Sequence, residues 1–347
     1  MMRCFQGDRK MKHGKKCKID KYTLILSVLL LLLTGLVIAW ELPQKEDRYI
    51  HVGIAVYDRS DTFMESYIRE LEDKIGQTRI LGKKVSYEIY DAEGIGSRQE
   101  KQLQEMYAQD YDVMLENLVE PASAAGVLTD AKDADIPVIL FNREIDEKDL
   151  KISKNVWYVG TDARAAGVMQ GKLLKDLWKK QSRILDWNGN GMLDYVLVEG
   201  EESHFDAIRR TSGFLETGAE LPLNQKGNIL AEWKRELAYE KFAALDDEVV
   251  QNVEAVICNN DDMALGVYDY YKEKNLKLPV IIGINNSEEM HQKIMSGEMY
   301  GTIDNKMEDQ VMEICRLMQA ILKKDTGSYQ KVWYSTPKAI VKAEGTE

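Results

Sequence analysis

The stretch from residue 186 to 210, DWNGNGMLDYVLVEGEESHFDAIRR, gathers the residue types with most chemical reach in this 347-residue chain. Asp186, Asn188, Asn190, Gly191 and Asp194 take the first, third, fifth, sixth and ninth positions of an EF-hand-like loop. Oxygens at that spacing can converge on a hard cation, and the glycine permits the sharp turn. The twelfth position, where a bidentate carboxylate belongs, is Leu197 inside the apolar run YVLVEG. The loop is therefore incomplete, and a metal would need a carboxylate from elsewhere. Taken alone, it reads equally well as a turn, because Asn and Gly tolerate positive φ. Beyond the strand stand His204, Asp206 and Arg210. A helix starting near Phe205 puts Asp206 and Arg210 on one face. An acceptor then lies beside a fork of donors at the carboxyl end of a strand.

The elements that must hold these groups follow a regular alternation. From Tyr49 onward, short apolar runs alternate with longer helical patterns. IHVGIAV, a helix over 61–75, VSYEIY, a helix over 97–107, DVMLEN, a helix over 121–132 and IPVILFN make one βαβ series. VWYVG opens a second series, with a helix over 163–180, YVLVEG, the helix from Phe205, GNILAE and the helix from Arg235. EAVICNN, a helix over 261–274, PVIIGINN, a short helix and YGTIDN complete it, before a helix over 306–323 and the strand KVWYS. Continuous apolar strands between amphipathic helices predict parallel sheets covered on both faces. So many strands exceed one open sheet, and the charged stretch 142–149 lacks apolar periodicity. The predicted architecture is α/β, two doubly wound Rossmann-like lobes joined by a hinge. One lobe takes residues 48–142 with 306–328, and the other 143–305 with 329–347.

Polar and aromatic side chains recur where these strands end. Asp61 and Phe63 follow the first strand, Asn117 closes DVMLEN, Trp233 follows GNILAE, and Asn260, Asn285 and Asn305 close three more. Ligands of open α/β sheets sit beyond the carboxyl ends of the strands, so these groups converge if the lobes face one another. Each has a plainer explanation. Asn117, Asn260 and Asn305 can cap helices, Asp206 and Arg210 can be a surface i,i+4 pair, and aromatics can be core. Their recurrence at equivalent strand ends argues for a cleft. Carboxylates, amides and one guanidinium suit vicinal hydroxyls, and flat rings suit the apolar face of a pyranose.

Charge and cysteine content narrow the function classes. The formal net charge is −12, with residues 1–40 carrying eight Lys/Arg against two Asp/Glu. The remainder is thus at −18, which argues against nucleic acid as a partner. Residues 22–40 are free of charge behind a basic flank at 1–21, predicting a transmembrane anchor or a signal peptide and an extracytoplasmic body. Cys258 and Cys315 sit in apolar patterns and read as buried thiols.

At these residues the chain resembles the galactose/glucose-binding proteins of bacterial sugar importers, in the type I periplasmic binding protein family. The likeness runs from about Ile50 to Val341 and is carried by YDRSDTFM, ENLVEPASAAG, IPVILFNRE, WYVGTDARAAGVMQG, the 186–210 block, VICNNDDMALG and SGEMYGTIDN. It implies that Asp61 takes a distal hydroxyl, and that Asn117 and His204 meet the hydroxymethyl end. Asp206 and Arg210 would take the anomeric hydroxyl and ring oxygen, and Asn260 and Asn305 the remaining hydroxyls. Phe63 and Trp233 would sandwich the ring. Asn285 departs from the aspartate of the family, which removes a charge-assisted bond. The resemblance also implies a structural Ca2+ held by Asp186, Asn188, Asn190, the Met192 carbonyl, Asp194 and a distant Glu254. A monomeric, non-enzymatic binder delivering a hexose to an ABC importer is the expectation. The alternatives are a membrane-tethered sensor signalling to a histidine kinase or chemoreceptor, and a glycosidase using Asp61 and Asp206.

Overall fold

The computed structural model describes Lys21, Tyr22, Leu26, Leu30 and Tyr49–Lys342. The predicted basic segment and apolar run therefore lie almost wholly outside the described residues. Among the described residues no helix is long and apolar enough to cross a membrane.

Strands β1 (Tyr49–Val56), β2 (Arg79–Ile80), β3 (Lys83–Asp91), β4 (Val113–Glu116), β5 (Val138–Phe141) and β6 (Val156–Thr161) occur in that order. They are followed by β7 (Leu193–Glu199), β8 (Leu223–Leu230), β9 (Ala255–Cys258), β10 (Val280–Ile284), β11 (Gly301–Asp304), β12 (Val332–Ser335) and β13 (Lys338–Val341). They form a seven-stranded sheet, β12-β6-β5-β4-β1-β3-β2, and a six-stranded sheet, β13-β11-β10-β9-β7-β8. Every pairing is parallel except those of the edge strands β2 and β13. The central strands are buried along their length, as a sheet with helices on both faces requires.

The helices bury the faces their spacing foretold. Thr62–Gln77 turns Met64, Tyr67, Ile68, Leu71 and Ile75 inward, and Asp61 caps it by accepting from Met64 N at 2.8 Å. These side chains join Val52, Ile54, Leu115 and Ile139 from the sheet and Val311, Ile314 and Met318 from Met307–Leu322 in one core. The second lobe has its own core, built on Val196, Val256, Ile281, Phe242, Met263 and Tyr271.

The lobe boundary differs from the expected one. VWYVG and KVWYS, assigned to the second lobe from sequence, are β6 and β12 and pair with each other in the first sheet. The charged stretch after β5 is not a break between lobes but the crossover from β5 to its parallel neighbour β6. It carries its own buried anchors, Ile145 and Leu150, too few to show periodicity. The chain therefore passes between lobes near Thr161, Asn305 and Ser335. These crossings are bonded together: Thr161 Oγ1 and Ser335 Oγ meet at 2.9 Å, and both reach Asn305 O, at 2.9 and 2.7 Å. Gln310 Nε2 donates to Thr161 Oγ1 at 2.7 Å and to Asn305 O at 2.9 Å, satisfying hinge backbone that is closed to water.

Candidate functional site

Between the carboxyl ends of the two sheets lies a cleft that opens to solvent. Asp61, Phe63, His204, Asp206, Arg210, Trp233, Asn260 and Asn285 line it, all expected from the sequence. Tyr57, Asn142 and Arg143 line it too and were missed. A usable signal existed, since Asn142 and Arg143 follow β5 just as Asn260 follows β9. Contacts between lobes close the cleft: Arg143 Nη2 to Glu201 Oε1 at 2.8 Å, Arg209 to Glu144, and Thr62 Oγ1 to Asp262.

Asn117 and Asn305 are not among the lining residues. Asn117 is fully buried behind the wall, where its Nδ2 donates to Phe141 O and Asn142 Oδ1 and its Oδ1 accepts from Tyr57 N. It sets two lining residues in place. Asn305 belongs to the hinge and donates through Nδ2 to Asn285 Oδ1 at 2.8 Å.

Several lining groups do double duty. Asn260 caps the helix Asp261–Glu273 by accepting from Met263 N at 2.9 Å, and its Nδ2 donates to Trp233 O at 2.9 Å. His204 caps the helix Phe205–Gly218, its Nδ1 accepting from Asp206 N at 3.2 Å. An accepting Nδ1 carries no proton, so in the neutral ring the proton is on Nε2. Burial, with Arg143 and Arg210 nearby, pushes the imidazole pKa down to about 2. His204 is thus a neutral donor throughout the physiological range, and its Nε2 is buried without a partner.

Asp206 and Arg210 lie one turn apart, both buried. Burial raises the Asp206 carboxyl above its ordinary range and Arg210 opposes the shift. Arg210 Nη1 donates to Asn259 O at 2.6 Å, while its Nε is buried without a partner. Its guanidinium carbon stands 5.5 Å from the Trp233 ring centroid, and His204 meets the same ring edge-on at 5.3 Å.

Trp233 is held in an unusual backbone state, φ 66°, directly after Glu232 at φ 50°. Asn142 (φ 62°) and Asn285 (φ 129°) are also left-handed, so three lining residues carry backbone strain of the kind that collects at binding sites. The ring lies against Gly200, where a Cβ would come within 2.3 Å of it. Only glycine admits the indole there.

The 186–194 loop folds as the spacing suggested, with Gly189 and Gly191 at φ 71° and 76°. Asp186 Oδ2 accepts from Gly191 N at 3.0 Å, and Asn190 Oδ1 accepts from Met192 N at 2.7 Å. Glu254 joins from β9's approach, taking Asp194 N at 2.9 Å and Asn188 N at 3.3 Å. Asp186 Oδ1 is buried without a partner, and an all-oxygen donor set with such an orphan fits a hard cation. Asp194, however, already receives the side-chain amides of Asn188, Asn190 and Asn224 and has Lys226 Nζ at 3.4 Å. Among the described residues no three carboxylate, imidazole or thiolate groups stand close enough to cage a metal.

This arrangement has known relatives. A family model described as a periplasmic binding protein domain matches residues 52–326. The D-galactose/methyl-galactoside binding periplasmic protein MglB of Haemophilus influenzae is 30% identical over 290 residues, 81% of this chain and 84% of the relative. The galactofuranose-binding protein YtfQ of Escherichia coli is 28% identical over 251 residues, 69% of this chain and 74% of its own. Among solved structures, a Caulobacter myo-inositol binding protein bound to myo-inositol superposes with a TM-score of 0.71 at 23% identity. That superposition covers 84% of this chain and 93% of the other. A match over most of the chain, with two lobes hinged around a polar cleft, places the chain in the periplasmic binding protein domain family, whose members bind solutes and are not enzymes.

Proposed function

We propose that this chain binds a hexose of the galactose or glucose type between its lobes, outside the cytoplasm, and delivers it to an ABC importer. One observation carries the reading. His204 Nε2 and Arg210 Nε, in residues that line the cleft, are buried without partners beside two carboxylates, Asp61 and Asp206. Unpaired buried donors cost about 1–3 kcal/mol each, so the cleft is built for a guest that supplies oxygens. The aromatic side chains Phe63 and Trp233, one from each lobe, favour a guest with apolar faces, as a pyranose has. The D-galactose relative and the galactofuranose relative support a sugar in general and leave the ring form to be measured.

Asp61 caps its helix through one oxygen, and the Tyr57 hydroxyl stands beside the same carboxylate, so a sugar hydroxyl would share it with Tyr57. Asp206 and Arg210 offer an acceptor and a donor to adjacent oxygens, and His204 donates through Nε2. Asn285 gives an amide whose oxygen already accepts from Asn305. Ca2+ in the 186–194 loop is part of the proposal. Asp186, Asn188, Asn190, Met192 O, Asp194 and Glu254 would hold it, and it would stabilise the fold without touching the sugar. The apolar run 22–40 favours tethering of the binder beside its membrane partner.

Isothermal titration calorimetry of the purified chain with galactose, glucose and ribose tests the core of the reading. Heat with at least one hexose is expected. Absence of heat with every sugar removes it, and release of the aryl group from an aryl galactoside would replace it with the glycosidase reading.

A further inference from the structure

Glu201 follows β7 in the second lobe, and a single oxygen of its carboxylate serves both lobes. Oε1 accepts from Arg143 Nη2 at 2.8 Å and from Trp233 Nε1 at 3.1 Å. Arg143 comes from the first lobe and is pinned there, Nη1 to Val119 O at 2.7 Å and the guanidinium 3.8 Å above the Tyr57 ring. Its side chain is only 5% exposed. Trp233 belongs to the second lobe, its ring fitted over Gly200 and against His204. The bond to Trp233 lies within one lobe. The bond to Arg143 exists only while the lobes are together, because the two residues stand on different sheets. Two further contacts across the cleft, Thr62 to Asp262 and Arg209 to Glu144, are made without Trp233.

We propose that Glu201 is a positioning residue that couples lobe closure to the setting of the Trp233 indole, and so governs how long a sugar stays bound. The proposal rests on the reading of the cleft as a sugar site. As the lobes close, Arg143 brings a desolvated charge to Glu201 Oε1 and holds the carboxylate in line with the indole N–H. As they part, Glu201 loses that partner, and the indole loses the brace that keeps it in the wall. The bridge is formed after the sugar has entered, so it acts on departure and leaves arrival nearly untouched.

Glu201→Ala, Glu201→Gln and Arg143→Ala variants of the full chain test this by stopped-flow tryptophan fluorescence and by the indole N–H resonances. The Trp233 resonance is assigned with Trp233→Phe. Glu201→Ala should raise the sugar dissociation rate about tenfold, with the association rate changed by less than about twofold. Glu201→Gln, which keeps an acceptor oxygen, should recover most of that loss. Arg143→Ala should shift the Trp233 indole resonance through Glu201, and should shift it no further once Glu201 is alanine. Unchanged dissociation together with an unmoved indole resonance overturns the proposal, as does a Glu201→Gln variant no better than Glu201→Ala. If the unaltered chain binds no sugar at all, the proposed function fails. The response of the Trp233 resonance to Arg143→Ala then still decides the coupling.

Discussion

Gly200→Ala isolates the aromatic wall from every hydrogen bond in the cleft. The glycine is not among those with positive φ, so alanine adds no left-handed strain there, and the main perturbation is one methyl group. That carbon would lie 2.3–2.4 Å from three atoms of the Trp233 indole, more than an ångström inside normal contact. The ring must move, and it is tied on its other sides by Glu201 and His204. Overpacking of this kind costs about 1–3 kcal/mol. Since Trp233 is only partly buried, at the edge of the second-lobe core, much of that cost is escaped by swinging the ring away, and it reappears in sugar binding. At 1.4 kcal/mol per factor of ten, affinity for the preferred hexose should fall by about 10- to 100-fold. Calorimetry gives the affinity and a melting curve gives the stability. The melting temperature should drop by a few degrees at most, because a shift near 1 kcal/mol moves it about 2–4 °C in domains of about 150–250 residues and less in a longer chain. Wild-type affinity in Gly200→Ala would refute the placement of the indole against the sugar.

Other perturbations read other parts of the molecule. Asn285→Asp restores a carboxylate beside Asn305, and affinity for hydroxyl-bearing ligands should rise about tenfold with a changed galactose-to-glucose ratio, read by titration with both epimers. Glu116, fully buried in β4 with one oxygen unpartnered, has its pKa raised to about 8 by burial. A raised carboxyl contributes stability below its unfolded value near 4.5 and loses it as pH climbs towards 8. Stability should therefore fall by up to about 1.4 kcal/mol per pH unit in that window, and Glu116→Gln should flatten the slope of melting temperature against pH. Chelation with EGTA should lower the melting temperature if Ca2+ occupies the 186–194 loop, and added Ca2+ should restore it. An unchanged curve would leave Lys226 and the three amides as the whole answer to the Asp194 charge.

The spacing of apolar and polar residues was enough to predict two parallel, doubly covered sheets, the helix starting at Phe205, and eight residues of the cleft wall. These rest on local rules, since helix period, strand ends and caps are written within a dozen residues of one another. What stayed hidden depends on partners distant in the chain. VWYVG and KVWYS are ordinary apolar strands, and only their pairing with each other across some 170 residues places them in the first sheet. Asn117 and Asn305 look like Asn260 in sequence, yet packing turns their amides onto Tyr57, Asn142 and Asn285 instead of into the cleft. Arg143 and Glu201 were invisible for the same reason: a charge in a polar loop is mute until the opposite lobe brings its partner within bonding distance.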